Sequence, residues 1–168
     1  MKRILLTLAF LTASLPASAQ WVVGGGYLNL SDDDDGIDVS LGAVYGSLGY
    51  IIEGEGQFSF IPEVRVGFGV SDDTNSGVNV ELDTFFALSL RGQYDFESGL
   101  YLYAAPSYAR AEFTATSPLF SGSVSEDDWE FGIGGGAGYR FTDQTWGEVS
   151  YETFDGTDAF SIGVKFAF

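Results

Sequence analysis

The sequence predicts an all-β fold: eight antiparallel strands joined up-and-down and closed into a barrel that crosses a membrane, behind a cleavable export signal. Three observations predict it. From residue 20 onward, apolar and polar residues alternate in eight segments separated by clusters of Gly, Asp, Ser and Asn, the period-2 signature of strands. No segment has helical periodicity, and no run of about 18 uninterrupted apolar residues exists to form a transmembrane helix. In the cleanest segments one face is apolar throughout and the other is charged or small. That suits a wall with lipid outside and a polar lumen inside.

The first element is the export signal. MKRILLTLAFLTASLPASAQ has a basic start (Lys2, Arg3), an apolar run from Ile4 to Leu15, and Ala17-Ser18-Ala19 ahead of Gln20. This is the layout of a secretory signal peptide, and the run falls short of the roughly 20 residues a membrane-spanning helix needs. Residues 1–19 are expected to be removed, leaving 20–168 as the barrel.

The strands fall at roughly 20–30, 37–51, 58–70, 78–95, 100–115, 128–141, 146–154 and 158–168. The breaks at 31–36, 71–77, 116–127 and 155–157 hold Asp, Ser, Asn and Gly, whereas those near 52–57, 96–99 and 142–145 are short turns. An even strand count puts both termini on one side. For an exported barrel that side is the periplasm, so the first, third, fifth and seventh connections face outside.

Parity assigns the faces. In the last strand Phe160, Ile162, Val164, Phe166 and Phe168 oppose Ala159, Ser161, Gly163, Lys165 and Ala167. In the sixth, Trp129, Phe131, Ile133, Tyr139 and Phe141 oppose Glu130, Gly132, Gly134, Gly136, Gly138 and Arg140. In the fourth, Leu82, Thr84, Phe86, Leu88 and Leu90 oppose Glu81, Asp83, Ala87, Ser89 and Arg91; in the third, Val64 and Val66 oppose Glu63 and Arg65. The fifth is less clean, with Leu102, Tyr108, Arg110 and Glu112 on the side taken as polar.

All five bases beyond the export signal (Arg65, Arg91, Arg110, Arg140, Lys165) then share the polar face with Glu63, Glu81, Asp83, Glu112, Glu130, Glu148 and Glu152. An unpaired buried charge is costly, so these twelve residues are expected to form a paired lumen network. The inward glycines of the sixth strand give room for long side chains from opposite strands. Read as a phosphate loop, GIGGGAG lacks the following helix that motif requires. Aromatics near strand ends (Trp21, Tyr50, Phe58, Tyr94, Tyr101, Phe141, Trp146, Phe168) suit interfacial girdles.

Composition narrows the function. The chain has 168 residues, no Cys and no His. That removes disulfides and thiolate metal sites, and with them the commonest general base and metal ligand. Glu81 with Asp83 could act as a carboxylate pair, but lumen ion pairing explains them better. Seven bases against 24 acids exclude nucleic acid, whose phosphates would be repelled. No cofactor is implied.

Several stretches carry a resemblance: the opening WVVGGGYL, then LGAVYGSLGYII, FGIGGGAGYRF, VSYETF and the closing AFSIGVKFAF. With the export signal, the chain resembles the small eight-stranded outer-membrane β-barrels of Gram-negative bacteria, porin-like or OmpA-like. The resemblance implies passage through the periplasm to the cell outer membrane, with outer-membrane lipid and lipopolysaccharide as surroundings. It also implies that Ile162, Val164, Phe166 and Phe168 form the signal read by the outer-membrane assembly machinery.

The tract Asp32-Asp33-Asp34-Asp35 then belongs to the first outside loop. With Gly36 at position 6 of a calcium loop, position 12 is Gly42, so the bidentate Glu of an EF-hand is missing. The tract reads as a solvated, self-repelling rim or as a weak divalent-cation site, since hard oxygen ligands suit Ca²⁺ or Mg²⁺. The expected function is that of a non-enzymatic integral outer-membrane barrel with a structural or interaction role, a salt-bridged lumen and acidic extracellular loops. The alternative is a small porin for ions or small polar solutes.

Overall fold

The computed structural model describes residues 21–34, 37–71, 73–75, 78–117, 120–126 and 129–168; side chains are described for all but 32–34, 37–39, 73–75, 78–80, 115–117 and 120–126. The expected export signal, Asp35 and Gly36 lie outside the described residues, as do the side chains of Asp32, Asp33 and Asp34.

Eight strands make the wall: β1 (Trp21–Asp34), β2 (Ile37–Tyr50), β3 (Phe58–Ser71), β4 (Val78–Asp95), β5 (Leu100–Ser117), β6 (Trp129–Arg140), β7 (Thr145–Thr153) and β8 (Thr157–Ala167). Each pairs antiparallel with its successor. β8 pairs back onto β1 from Val22↔Ala167 to Asp32↔Thr157, which closes the barrel. Closure leaves no edge in the hydrocarbon layer, where an unpaired backbone group could find no water. On the periplasmic side the turns are tight: Gly99 takes φ +85° and its N–H donates to the Phe96 carbonyl at 3.1 Å, a backbone shape that favours glycine.

The outer side is taller than the sequence suggests. β1 runs through Asp34 and pairs Asp34 with Ile37, so the acidic tract continues a hairpin arm where a loop from residue 31 is expected. The expected loop 71–77 contains a short strand, Asp73–Asn75, on the start of β4. The expected loop 116–127 contains another, Phe120–Glu126, on the end of β5. β4 and β5 have 18 residues each, against about 9–11 for a membrane crossing. The surplus stands above the bilayer.

Two storeys with opposite polarity result. In the lower one, Val64, Leu88, Leu102, Val149, Ile162 and Phe166 face outward and are exposed, which in place means facing lipid. In the upper one, Leu28, Leu30, Leu41, Leu82 and Phe154 are buried together inside, with Phe113 against them, and the outward positions are polar. A wall standing in water must hide its apolar face inward. β4 makes the change with one extra residue: Leu82 faces Phe113 and Thr84 faces Glu112, which leaves Asp83 as a bulge. A bulge shifts alternation by one, so Leu82 turns inward while Glu81, Asp83 and Thr84 turn out.

Aromatic pairs bracket the lower storey. Trp21–Tyr50 and Phe58–Tyr94 meet edge-on at 5.0 Å near the periplasm, and Tyr108 stacks on Trp129 at 5.2 Å near the outside. Two expected girdle members are elsewhere. Tyr101 and Trp146 are fully buried inside the barrel, packed with Val22 and Ala167 in a cluster at its periplasmic end.

Candidate functional site: a charged belt in the lumen

Between the two apolar clusters lies a belt of three cations and three carboxylates, Arg65, Arg91, Lys165, Glu63, Glu148 and Glu152, all buried. Four strands contribute one or two each. β3 supplies Glu63 and Arg65, two residues apart and so on one face. β4 supplies Arg91, β7 Glu148 and Glu152, and β8 Lys165.

The pairs cross the lumen. The Arg65 guanidinium donates to both oxygens of Glu152, at 2.5 and 2.7 Å. Arg91 grips Glu148 in the same two-pronged way, at 3.2 and 2.8 Å, and reaches Glu63 at 3.4 Å. The Lys165 ammonium donates to Glu63 and stands 3.5 Å from Glu148. Neutral donors complete the carboxylates: Tyr101 Oη donates to Glu148 at 2.9 Å and Ser107 Oγ to Glu152 at 2.6 Å. The Arg91 guanidinium also lies 3.7 Å above the centre of the Tyr103 ring, a favourable cation–π stack. The charges balance, three against three, which is what makes burial tolerable.

Below the belt, Arg140 donates to Asp95 at 2.8 and 3.0 Å and lies 4.7 Å from the Trp146 ring centre; Gln93 donates to the same carboxylate at 3.1 Å. A cavity of about 10 Å³ within the belt is lined by Tyr45, Tyr103, Ser89 and charged side chains. That is on the order of one water molecule.

The twelve expected network residues separate accordingly. Glu63, Arg65, Arg91, Glu148, Glu152 and Lys165 meet in the belt, and Arg140 sits below it with Asp95. Glu81 and Asp83 do not join: the bulge turns them outward, where Asp83 accepts a hydrogen bond from Thr114 at 2.5 Å. Arg110 and Glu112 do not join either. In β5 the buried residues are Tyr101, Ala105, Ser107 and Ala109, so Arg110 and Glu112 share the outward face with Leu102 and Tyr108. Thr84 donates to Glu112 at 3.3 Å on that outer surface. Glu130 keeps inward parity at the top of β6, half-buried, with Ala109 as its neighbour on β5.

Sequence reasoning missed Tyr101, Tyr103, Ser107 and Asp95. Asp95 was legible, because it is in phase with Arg91 and Gln93. The β5 residues were not, because Arg110 and Glu112 at its top outweighed Leu102, Ala104, Pro106 and Tyr108 on the same side. The β6 glycines make room as expected, but for near neighbours: a Cβ at Gly136 would meet the Tyr103 ring at 2.6 Å, and one at Gly138 would meet the Tyr101 ring. Among the described residues, no three carboxylates gather in a way that could hold a metal ion.

Comparison with known proteins agrees with this geometry. The family model described as outer membrane protein beta-barrel domain matches residues 4–168. No curated protein matches the chain in sequence. Among solved structures, Ail of Yersinia pestis, solved in complex with the heparin analogue sucrose octasulfate, is similar with a TM-score of 0.66 at 14% identity, over 90% of this chain and 99% of that one. Neisserial surface protein A follows at 0.60 and 13%, over 88% and 97%. The N-terminal barrel of OprF from Pseudomonas aeruginosa is similar at 0.57 and 18%, over 90% and 100%. At such identities the likeness is one of fold.

Proposed function

The chain belongs to the outer membrane protein β-barrel family and so resides in the outer membrane, and from that premise we propose that it works without turnover, as a barrel with a closed lumen. In this reading the charged belt is a strut, and interactions with the surroundings are made by the acidic outer hairpins. The observation that carries the reading is the belt of ion pairs across the lumen, around a cavity of about 10 Å³, with apolar clusters above and below it. A conduit for ions needs a continuous wet path, and an eight-stranded barrel is just narrow enough for side chains to fill.

The test is conductance in a planar bilayer, wild type beside Arg91→Ala, with insertion verified separately. A silent wild type supports the closed lumen. Reproducible ohmic steps that change in Arg91→Ala would instead make the protein a small porin with a charged constriction.

The surroundings proposed are outer-membrane lipid and lipopolysaccharide. The export signal at 1–19 and the closing-strand residues Ile162, Val164, Phe166 and Phe168 are proposed to bring the chain to the assembly machinery; the outward, exposed placement of these four is what supports that role. Asp32, Asp33, Asp34 and Asp35 are proposed to gather divalent cations that bridge to lipopolysaccharide phosphates. Calcium at millimolar levels should then raise the melting temperature and bind by calorimetry; if it does neither, the cation proposal fails. The polyanion held by Ail does not carry over, because the acidic Glu81, Asp83, Glu112 and Asp155 outnumber Arg110 among the outward charges described on the outer side here.

A further inference from the structure

We propose that Lys165 fixes the register in which the last strand closes on the first, so that the lumen ion cluster keys the barrel shut as well as bracing it. Seven of the eight strand junctions join strands consecutive in the chain, and their connections limit how the partners can slide. The junction of β8 with β1 joins the two ends of the barrel and has no turn. Its register must come from side chains.

At the level of the belt few side chains of the seam can supply it, since Val22, Leu28 and Leu30 lie in the apolar clusters below and above. On the lumen side Gly24 faces Lys165 and Gly26 faces Gly163, and glycine-rich strands specify register weakly. A slip by one residue is forbidden, since it would turn the apolar face inward. A slip by two is not forbidden by the lipid. Val23 and Tyr27 on β1, and Phe160, Ile162, Val164 and Phe166 on β8, all face outward, and each of these four β8 residues has another apolar residue two positions on.

Inside, a slip by two changes everything. Lys165 now donates to Glu63 and stands 3.5 Å from Glu148. Moved two positions, it leaves that level to Gly163 or Ala167, and the belt holds three carboxylates with two cations. The direction of the easiest slip follows from the β7–β8 turn. There the Phe154 N–H donates to the Thr157 carbonyl at 2.8 Å and Gly156 takes φ +95°. So tight a turn has no slack to release toward the periplasm, but it can loop out two residues at its exposed tip. An outward slip brings Ala167 to the level of Lys165, and Phe168, in place of Phe166, beside Val23.

A competing key is steric. A Cβ at the level of Gly163 would meet the Tyr45 hydroxyl at 2.7 Å and the Gly25 carbonyl at 3.0 Å, so that glycine could hold the register without any charge. Two variants separate the two, read by cross-strand backbone contacts in the NMR spectrum of the refolded barrel. In wild type Val23 lies beside Phe166. In Lys165→Ala a second set is expected, with Val23 beside Phe168. In the exchange Lys165→Ala/Ala167→Lys the slipped set should dominate, because the lysine again reaches Glu63 and Glu148. A Lys165→Ala barrel with the native register alone, however unstable, overturns the proposal, and so does an exchange variant that keeps the native register. If Lys165→Ala yields no barrel, the exchange decides alone: a two-residue shift supports the charge key, and the native register or no barrel refutes it.

Discussion

Replacing Arg65 by Met tests whether the belt is dry. The guanidinium binds Glu152 through two hydrogen bonds, and both side chains are buried. Once it is gone, Glu152 keeps Ser107 as a donor but has lost its opposing charge. Removing one partner of a buried pair costs about 3–5 kcal/mol. At a urea slope of about 2 kcal/mol per molar, the unfolding midpoint in lipid vesicles falls by about 2 M. Glu152→Met should cost a similar amount. The double variant Arg65→Met/Glu152→Met should cost far less than the sum, about 1 kcal/mol or even a gain, because an apolar pair of similar volume often replaces a buried ion pair without loss. Equilibrium unfolding followed by tryptophan fluorescence, in a complete double-mutant cycle, reads all four proteins. If each single change costs under about 1 kcal/mol and the two add, as for solvent-screened pairs, the lumen is wet and the strut reading is wrong.

Two further outcomes follow from the same geometry. Leu88→Arg, on the lipid face of β4, should cost about 2–4 kcal/mol, whereas Thr84→Arg, four residues up on the same outward face at the foot of the Asp83 bulge, should cost about 0–1 kcal/mol; equal costs in vesicle unfolding would mean the bilayer boundary is not at the bulge. Gly138→Val pushes a side chain into the Tyr101 ring and should destabilise by about 1–3 kcal/mol, while Gly138→Val/Tyr101→Ala should recover part of that loss; no recovery in the unfolding midpoint would show that the ring is not what the glycine accommodates.

Strand number and order, and the faces of β3, β6 and β8, were determined by the sequence, because alternation is a local property and a membrane wall enforces it. Phe160, Ile162, Val164 and Phe166 need no partner to declare their side, and neither does Lys165 between them. The absence of His and Cys likewise removed whole classes of chemistry without any coordinates. The tertiary structure alone decided where alternation changes meaning. Arg110 and Glu112 read as lumen charges because a charge in the membrane layer must point inward, but β5 has already left that layer when it reaches them, and in water charges point out. Glu81 and Asp83 obey the same rule through a one-residue bulge that no periodicity reveals. Which charge meets which was also beyond the sequence. Arg65 takes Glu152 and Lys165 takes Glu63 from strands far apart in the chain, because closure and strand tilt, which are properties of the whole wall, set the level at which each side chain enters the lumen.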